Sequence, residues 1–82
     1  MYIEHESETC HLMGGRMPIS EVNDILGSNF SVQESHTIGG FIVSRTKRIP
    51  RVDDVVIEDG YRLTVLEADE RHVLKVRLEV MD

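Results

Sequence analysis

Between Tyr61 and Val80 the chain alternates. Tyr61, Leu63 and Val65 are interleaved with Arg62 and Thr64, a polar break follows at Asp69-Glu70, and Leu74, Val76, Leu78 and Val80 are then interleaved with Lys75, Arg77 and Glu79. A period of two sends alternate side chains to opposite faces of a strand. The stretch therefore predicts a β-hairpin with one apolar face, Leu74 and Val80 included, and one wet face. In a chain of 82 residues the cover for that face must come from the segment before it. A single domain of this size buries only about 60% of the surface its unfolded chain exposes, so the core is small.

The earlier segment supplies that cover in short pieces. Residues 1–8, with Glu4, Glu6 and Glu8 around His5 and Ser7, read as a poorly ordered acidic linker or tail, leaving residues 9–82 as the domain. Thr9 to Met13 is a candidate first strand. Gly14-Gly15 is a turn, and Arg16-Met17 is expected to return as a second strand that Pro18 ends. Ser20 is the expected N-cap of a first helix, with Val22, Ile25 and Leu26 on its buried face and Gly27 as its stop. Ser28 to His36 is a connector, with Phe30 and Val32 expected in the core. Thr37 caps a second helix whose Ile38, Phe41, Ile42 and Arg45 share a face. Gly39-Gly40 inside it costs about 1 kcal/mol per glycine in helix propensity, which points to a close backbone approach, to the sheet or to the first helix. Asp53-Asp54 reads as a turn, Val55-Val56-Ile57 as a buried strand, and Asp59-Gly60 as a tight hairpin turn. The order is β-β-α-α-β-β-β. Helices grouped before antiparallel strands make an α+β fold, two short helices on one face of a sheet of four or five strands.

Charge and composition narrow the partners. The net charge is −6, which repels phosphate backbones and anionic membrane surfaces and argues against nucleic acid. With two Tyr, two Phe and no Trp, platforms for stacking bases are scarce. No apolar run approaches the roughly 20 residues of a membrane-spanning helix, so direct membrane insertion is not expected. The first residues lack the basic and apolar regions of a signal peptide. One cysteine, Cys10, excludes an internal disulfide and a cysteine-built zinc site.

Several residues bear on chemistry. Cys10 and His11 are adjacent, so a strand points them to opposite faces, which is poor geometry for an activated thiolate. His5, His11, His36 and His72 show no i, i+4 zinc spacing and read as surface or edge histidines. The Glu/His run of residues 1–8 reads as solvated, against a metal cluster on a segment with nothing to orient its ligands. Asp53, Asp54, Glu58 and Asp59 form an acidic patch, open between weak Mg²⁺ or Ca²⁺ binding and turn capping. The helix start at Thr37–Gly40 is open between a flavin or nucleotide phosphate contact and plain helix packing. No catalytic or metal-ligating residue is assigned, and no cofactor-binding residue is identified.

Several stretches together are similar to a known family. Gly15-Arg16-Met17-Pro18-Ile19-Ser20-Glu21-Val22-Asn23, Thr37-Ile38-Gly39-Gly40-Phe41-Ile42, Ile49-Pro50 followed by Asp54, Tyr61 to Val65 and Asp69-Glu70-Arg71 follow in the order and spacing of the CorC/HlyC transporter-associated domain. That family usually has Gly where this chain has Asp53. The resemblance implies a non-enzymatic C-terminal accessory domain of a bacterial membrane protein, on the cytoplasmic face of the inner membrane. It implies a CBS pair and a membrane domain as partners, a link to magnesium and cobalt efflux or to hemolysin-like proteins, and a fold like a miniature of the vanillyl-alcohol-oxidase-type FAD-binding fold. The alternative it leaves open is a sensor that binds flavin or adenine nucleotide. The basic cluster Lys47, Arg48 and Arg51 would suit docking on the CBS pair, and homodimerisation through the sheet edges is a further expectation.

Overall fold

The structure, a computed structural model, describes residues 3–81. Strands β1 (Glu4–His5) and β2 (Cys10–Gly14) precede helices α1 (Ile19–Leu26) and α2 (Ile38–Thr46). Strands β3 (Val55–Glu58), β4 (Tyr61–Ala68) and β5 (Val73–Val80) follow. The five strands form one sheet in the order β1-β2-β5-β4-β3, and every neighbouring pair is antiparallel. The expected α+β class and element order hold, and the strand expected at Thr9 to Met13 is present as β2, but its leading partner is not the one expected. The segment read as a poorly ordered acidic tail contributes β1 and the buried Ile3. Arg16-Met17 forms no strand. Met17 donates to Gly14 O at 3.1 Å to close a turn, and its own carbonyl accepts from Ile38 at the start of α2. The stretch thus pairs with the second helix rather than with the sheet.

One face of the sheet carries the core. His11 and Met13 of β2, Val76 and Leu78 of β5, Leu63 and Val65 of β4 and Val56 of β3 share that side by register. Ile19 and Val22 of α1 and Ile38, Phe41 and Ile42 of α2 close over it. The opposite face, with Leu12, Arg62, Thr64, Arg77 and Glu79, has no helix on it, and its charges pair along the strands, Arg62 to Glu79 at 3.1 Å.

The hairpin of β4 and β5 departs from strict alternation at one place. The register shifts on both sides of Glu67: β4 has one residue more than β5 between Val65 and Glu67, and β5 has one more, Leu74, between Lys75 and Val73. These extra residues change the phase of the alternation. Val73 enters the core while Leu74 is 48% exposed, against expectation, and Val80 also emerges at the strand end. β3 was expected to be buried throughout. It is an edge strand, and only Val56 points to the covered face, so Val55 and Ile57 are 47% and 59% exposed. The Asp59-Gly60 turn has positive φ at both residues, 52° and 79°, the twist that joins two strands through two residues.

The helices show which local signals survived. α1 starts at Pro18, whose φ of −62° and ψ of 135° set up the first turn with no side-chain cap, so Ser20 is an ordinary exposed helical residue. Gly27 stops the helix at φ 70°, as its position suggested. Ile25 and Val32, expected in the core, are exposed, while Leu26 packs against it and Phe30 is buried. Asn23 holds the connector: its amide donates to Phe30 O at 3.0 Å, and its carbonyl accepts from Ser28 Oγ at 2.8 Å and Phe30 N at 3.0 Å. Thr37 caps α2 as expected, its Oγ1 accepting from Gly40 N at 3.1 Å.

After Pro50 the chain is pinned to β4. Asp54 accepts from Arg51 N at 2.9 Å and pairs with Arg48, while Asp53 N donates to Val65 O at 2.8 Å. Asp53 itself sits at φ 75°. That left-handed conformation is one that glycine adopts freely and Asp tolerates.

Candidate functional site

The β2–α1 turn, the start of α2 and the tip of the β4–β5 hairpin enclose a groove of about 500 Å³. Three backbone segments are stacked at its base. Gly39 N donates to Gly15 O at 2.9 Å, and Gly15 N donates to Leu74 O at 2.9 Å. A Cβ on Gly39 would lie 2.8 Å from Gly15 O and 3.1 Å from Val73 O; one on Gly15 would lie 1.8 Å from Val73 O. Glycine at both positions is therefore a packing requirement. The close approach expected from Gly39-Gly40 is real, and it is to the Gly15 turn and β5, not to α1. A Cβ on Gly40 would meet Ser35 Oγ at 2.1 Å, so that glycine makes room for the connector.

The groove is apolar at Val43, Val73 and Leu74 and charged at its rim. Asp69 there is an internal cap: its Oδ1 accepts from Arg71 N at 2.8 Å and His72 N at 2.7 Å. Those two backbone donors, with a smaller contribution from the His72 ring, hold its carboxyl below the usual range. Among the described residues the side chains of Arg16 and Arg71 have no carboxylate within ion-pairing distance. In a chain of net charge −6, these two guanidinium groups lie without an acidic partner beside an apolar floor.

The start of α2 lies in this groove but offers no anion site. Ile38 N donates to Met17 O, Gly39 N to Gly15 O, Gly40 N to Thr37 Oγ1 and Phe41 N to Thr37 O, so the first-turn donors are all occupied. A phosphate needs those donors free. The residues at Thr37–Gly40 thus do not fit the phosphate of a flavin or nucleotide.

The acidic patch is likewise dispersed. Asp54 is buried against Arg48, Glu58 accepts from Arg45 at 2.6 Å, and Asp59 Oδ2 accepts from Asn29 N at 2.8 Å. Asp53 lies apart at its strained turn. Three of the four carboxylates thus serve the fold, and no grouping of three or more metal-ligating side chains occurs among the described residues. Arg45 also holds Glu34 at 2.9 Å and lies 4.7 Å from the Phe41 ring centre. It ties the connector, α2 and β3 together; its side chain, with that of Ser44, pulls the Glu34 carboxyl below its usual range. Spacing in the sequence gave no sign of this network. Of the basic cluster, Arg48 is engaged by Asp54, and Lys47 closes α2 at φ 56°.

Two histidines that read as unrelated are neighbours. His5 and His11 face each other across β1 and β2, with Nδ1 atoms 2.6 Å apart and rings edge to face. One nitrogen must donate and the other accept. Burial, with His5 alongside, lowers the His11 pKa. His36 is exposed and His72 lies at the groove. Cys10 points away from His11, as alternation predicts, and its thiol donates to Glu6 Oε1 at 3.3 Å. Burial and the Glu6 carboxylate raise the thiol pKa, the opposite of activation.

Comparison with known proteins fits this architecture. Residues 4–82 match the family model CorC_HlyC, the transporter associated domain. The magnesium and cobalt efflux protein CorC of Salmonella typhimurium is 33% identical over 64 residues, 78% of this chain and 22% of that protein. The UPF0053 protein YhdP of Bacillus subtilis is 30% identical over 69 residues, 84% of this chain and 15% of that protein. The chain thus spans about a fifth or less of the curated relatives it matches. The transporter associated domain of a Xylella fastidiosa hemolysin superposes with a TM-score of 0.84 at 26% identity, covering 100% of this chain and 98% of that one. A structure of such a domain in complex with Mg²⁺ and Mn²⁺, 24% identical, superposes at 0.87 over 100% of both chains. These likenesses carry no support for the flavin-binding-like description of the fold. No helix among the described residues is long and apolar enough to cross a membrane, which says nothing of β-barrels. By the match of nearly its whole length and by its shared architecture, this chain belongs to the CorC_HlyC transporter associated domain family.

Proposed function

We propose that this domain is a non-enzymatic accessory module of a larger bacterial membrane protein, where it modulates divalent-ion transport by contact with neighbouring domains. The observation that carries the reading is the groove with its unpaired Arg16 and Arg71 in an acidic domain. Its occupant is a carboxylate-bearing surface of an adjacent domain, a CBS pair in the arrangement the family implies, at the cytoplasmic face of the membrane. The transported ions are magnesium and cobalt, as in the efflux proteins named above. The groove takes precedence over the Lys47–Arg51 cluster because Arg48 is already neutralised by Asp54.

The test is the double variant Arg16→Glu/Arg71→Glu in a full-length protein carrying this domain. Both side chains are exposed, so folding is preserved, and ion efflux from loaded vesicles reads the effect. Altered efflux, with loss of cross-linking between groove and neighbouring domain, is expected. Unchanged efflux and cross-linking refute the reading. The flavin or nucleotide alternative predicts a rise in the thermal midpoint with FAD, AMP or ATP, because a ligand at 100 times its dissociation constant adds about 2.7 kcal/mol. With the donors of α2 occupied, no rise is expected.

A further inference from the structure

The pairing of β1 with β2 sets His5 directly opposite His11, so their side chains share one face of the sheet. Glu6 N donates to Cys10 O at 2.9 Å. The next pair along, His5 and His11, is then the non-hydrogen-bonded one, where facing side chains come closest. The two Nδ1 atoms accordingly lie 2.6 Å apart, with ring centres at 4.6 Å and the rings edge to face. His11 is buried, while His5 is exposed at the end of its short strand. One ring is held by the fold and the other is free to turn, and both present the same nitrogen.

We propose that His5 and His11 together bind one divalent late first-row transition ion, Ni²⁺, Cu²⁺ or Zn²⁺, through both Nδ1 atoms, with water filling the remaining positions. Imidazole nitrogen suits these ions, whereas Mg²⁺ and Ca²⁺ prefer oxygen. Two nitrogens on one such ion, each at about 2.0–2.1 Å and about 90–110° apart, are separated by about 2.9–3.4 Å. A small rotation of the exposed His5 ring opens the pair from 2.6 Å to that span. In the hydrogen-bonded pair one Nδ1 carries a proton and the other a lone pair. On binding, that proton leaves its Nδ1 and the same ring takes one from water at Nε2. Both rings stay neutral, and no net proton is released.

The surroundings favour a cation. From Glu4 to Gly14 the hairpin carries Glu4, Glu6 and Glu8 and no lysine or arginine. Burial, with His5 alongside, already favours the neutral form of His11, the form that ligates. Ile3 is buried in the core and anchors β1 beside His5, so the two ligands stand on paired strands rather than on a free tail. Two protein ligands leave the site open and its ion exchangeable. The site lies at the start of β2, away from the groove at its end, and does not rest on the transport role proposed above.

The experiment titrates the 82-residue chain with Ni²⁺, Zn²⁺ or Mg²⁺ alone, read by the unfolding midpoint and by the NMR signals of the histidine rings. Expected is one Ni²⁺ or Zn²⁺ per chain, a raised midpoint with either, and no change with Mg²⁺ at the same concentration. Paramagnetic Ni²⁺ is expected to broaden the ring signals of His5 and His11 before those of His36 and His72. His5→Gln, at an exposed side chain, is expected to leave the metal-free midpoint in place and weaken Ni²⁺ binding by at least about tenfold. Cys10→Ser is expected to leave binding unchanged, because that thiol lies on the opposite face with Glu6. Absence of Ni²⁺ and Zn²⁺ binding up to millimolar concentration overturns the proposal. So does binding that survives His5→Gln, or that is lost with Cys10→Ser and so belongs to the other face. An equal response to Mg²⁺ would reveal a carboxylate site and refute it as well.

Discussion

At one side of the sheet β1 presents two residues, Glu4 and His5, tied down by the buried Ile3 and by the His5–His11 contact. At the other side β3 presents four, with Val55 and Ile57 bare. Shortness and the surrounding carboxylates of Glu4, Glu6 and Glu8 blunt the first edge against pairing with another chain. The second is longer, and its Val55, Val56 and Ile57 carry no charge; its carboxylates, Asp53, Asp54, Glu58 and Asp59, sit at its two ends. The difference teaches that exposed apolar side chains on a small domain are informative when they coincide with unpaired backbone, as on β3. Single exposures such as Ile25 or Val32, in a helix and a loop, need no such explanation.

The largest expected effect strikes what both edges depend on. Gly15→Ala forces a Cβ to within 1.8 Å of Val73 O, a backbone atom that cannot turn aside. It is expected to cost at least about 3 kcal/mol, read by urea unfolding. A variant as stable as the parent would show that the β2–α1 turn yields, and that the groove base is not rigid.

The edges themselves separate under truncation. Ile3→Ala removes a side chain from the core and is expected to cost about 2 kcal/mol. Ile57→Ala, measured in dilute monomer, is expected to stay within about 0.5 kcal/mol of the parent. Equal effects at the two positions would erase the distinction between an anchored and an open edge.

Acid sharpens the comparison. The folded-state pKa of His11 is lowered, so the fold favours its neutral form. Its contribution to stability is complete above the ordinary value of 6.5 and is lost as pH falls through the lower folded value. Amide protection in β1 and β2 should therefore fall in this range before protection in β3 does. His11→Leu should flatten the dependence of the unfolding midpoint between about pH 7 and about pH 5. Parallel loss at both edges, or a variant with the parent's pH profile, would remove the histidine pair from the account.

The smallest effect is a gain. Asp53→Gly relieves a non-glycine residue at φ 75° just before β3, and is expected to add about 0.5 kcal/mol, the relief being partly offset by the greater freedom of glycine in the unfolded chain. A loss instead would mean that the Asp53 side chain contributes at this turn.

Much of the fold was legible because its signals are local. The turn at Asp59-Gly60, the stop at Gly27, the Thr37 cap and the alternation of β4 each depend on a few neighbouring residues. The groove was only half legible: Gly39-Gly40 announced a close approach, but what approached, the Gly15 turn and β5, is distant in sequence. β1 was missed because two residues among glutamates carry no periodicity, and only the cross-strand contact of His5 with His11 and the burial of Ile3 make a strand of them. Arg16 and Arg71 are 55 positions apart in the chain and share a rim only once the hairpin tip folds over the β2–α1 turn.

By itself the sequence determined the α+β class and the positions of the helices and of the last two strands. Tertiary structure alone decided which apolar residues are covered. Leu74 reads like Val76 and Ile57 like Val56 in any local window, yet Leu74 is the extra residue of an irregularity in β5 and turns outward, and a place at the sheet's edge leaves Ile57 bare. Alternation specifies two faces of a strand; which face is dry depends on what packs against it, and here helices cover only one.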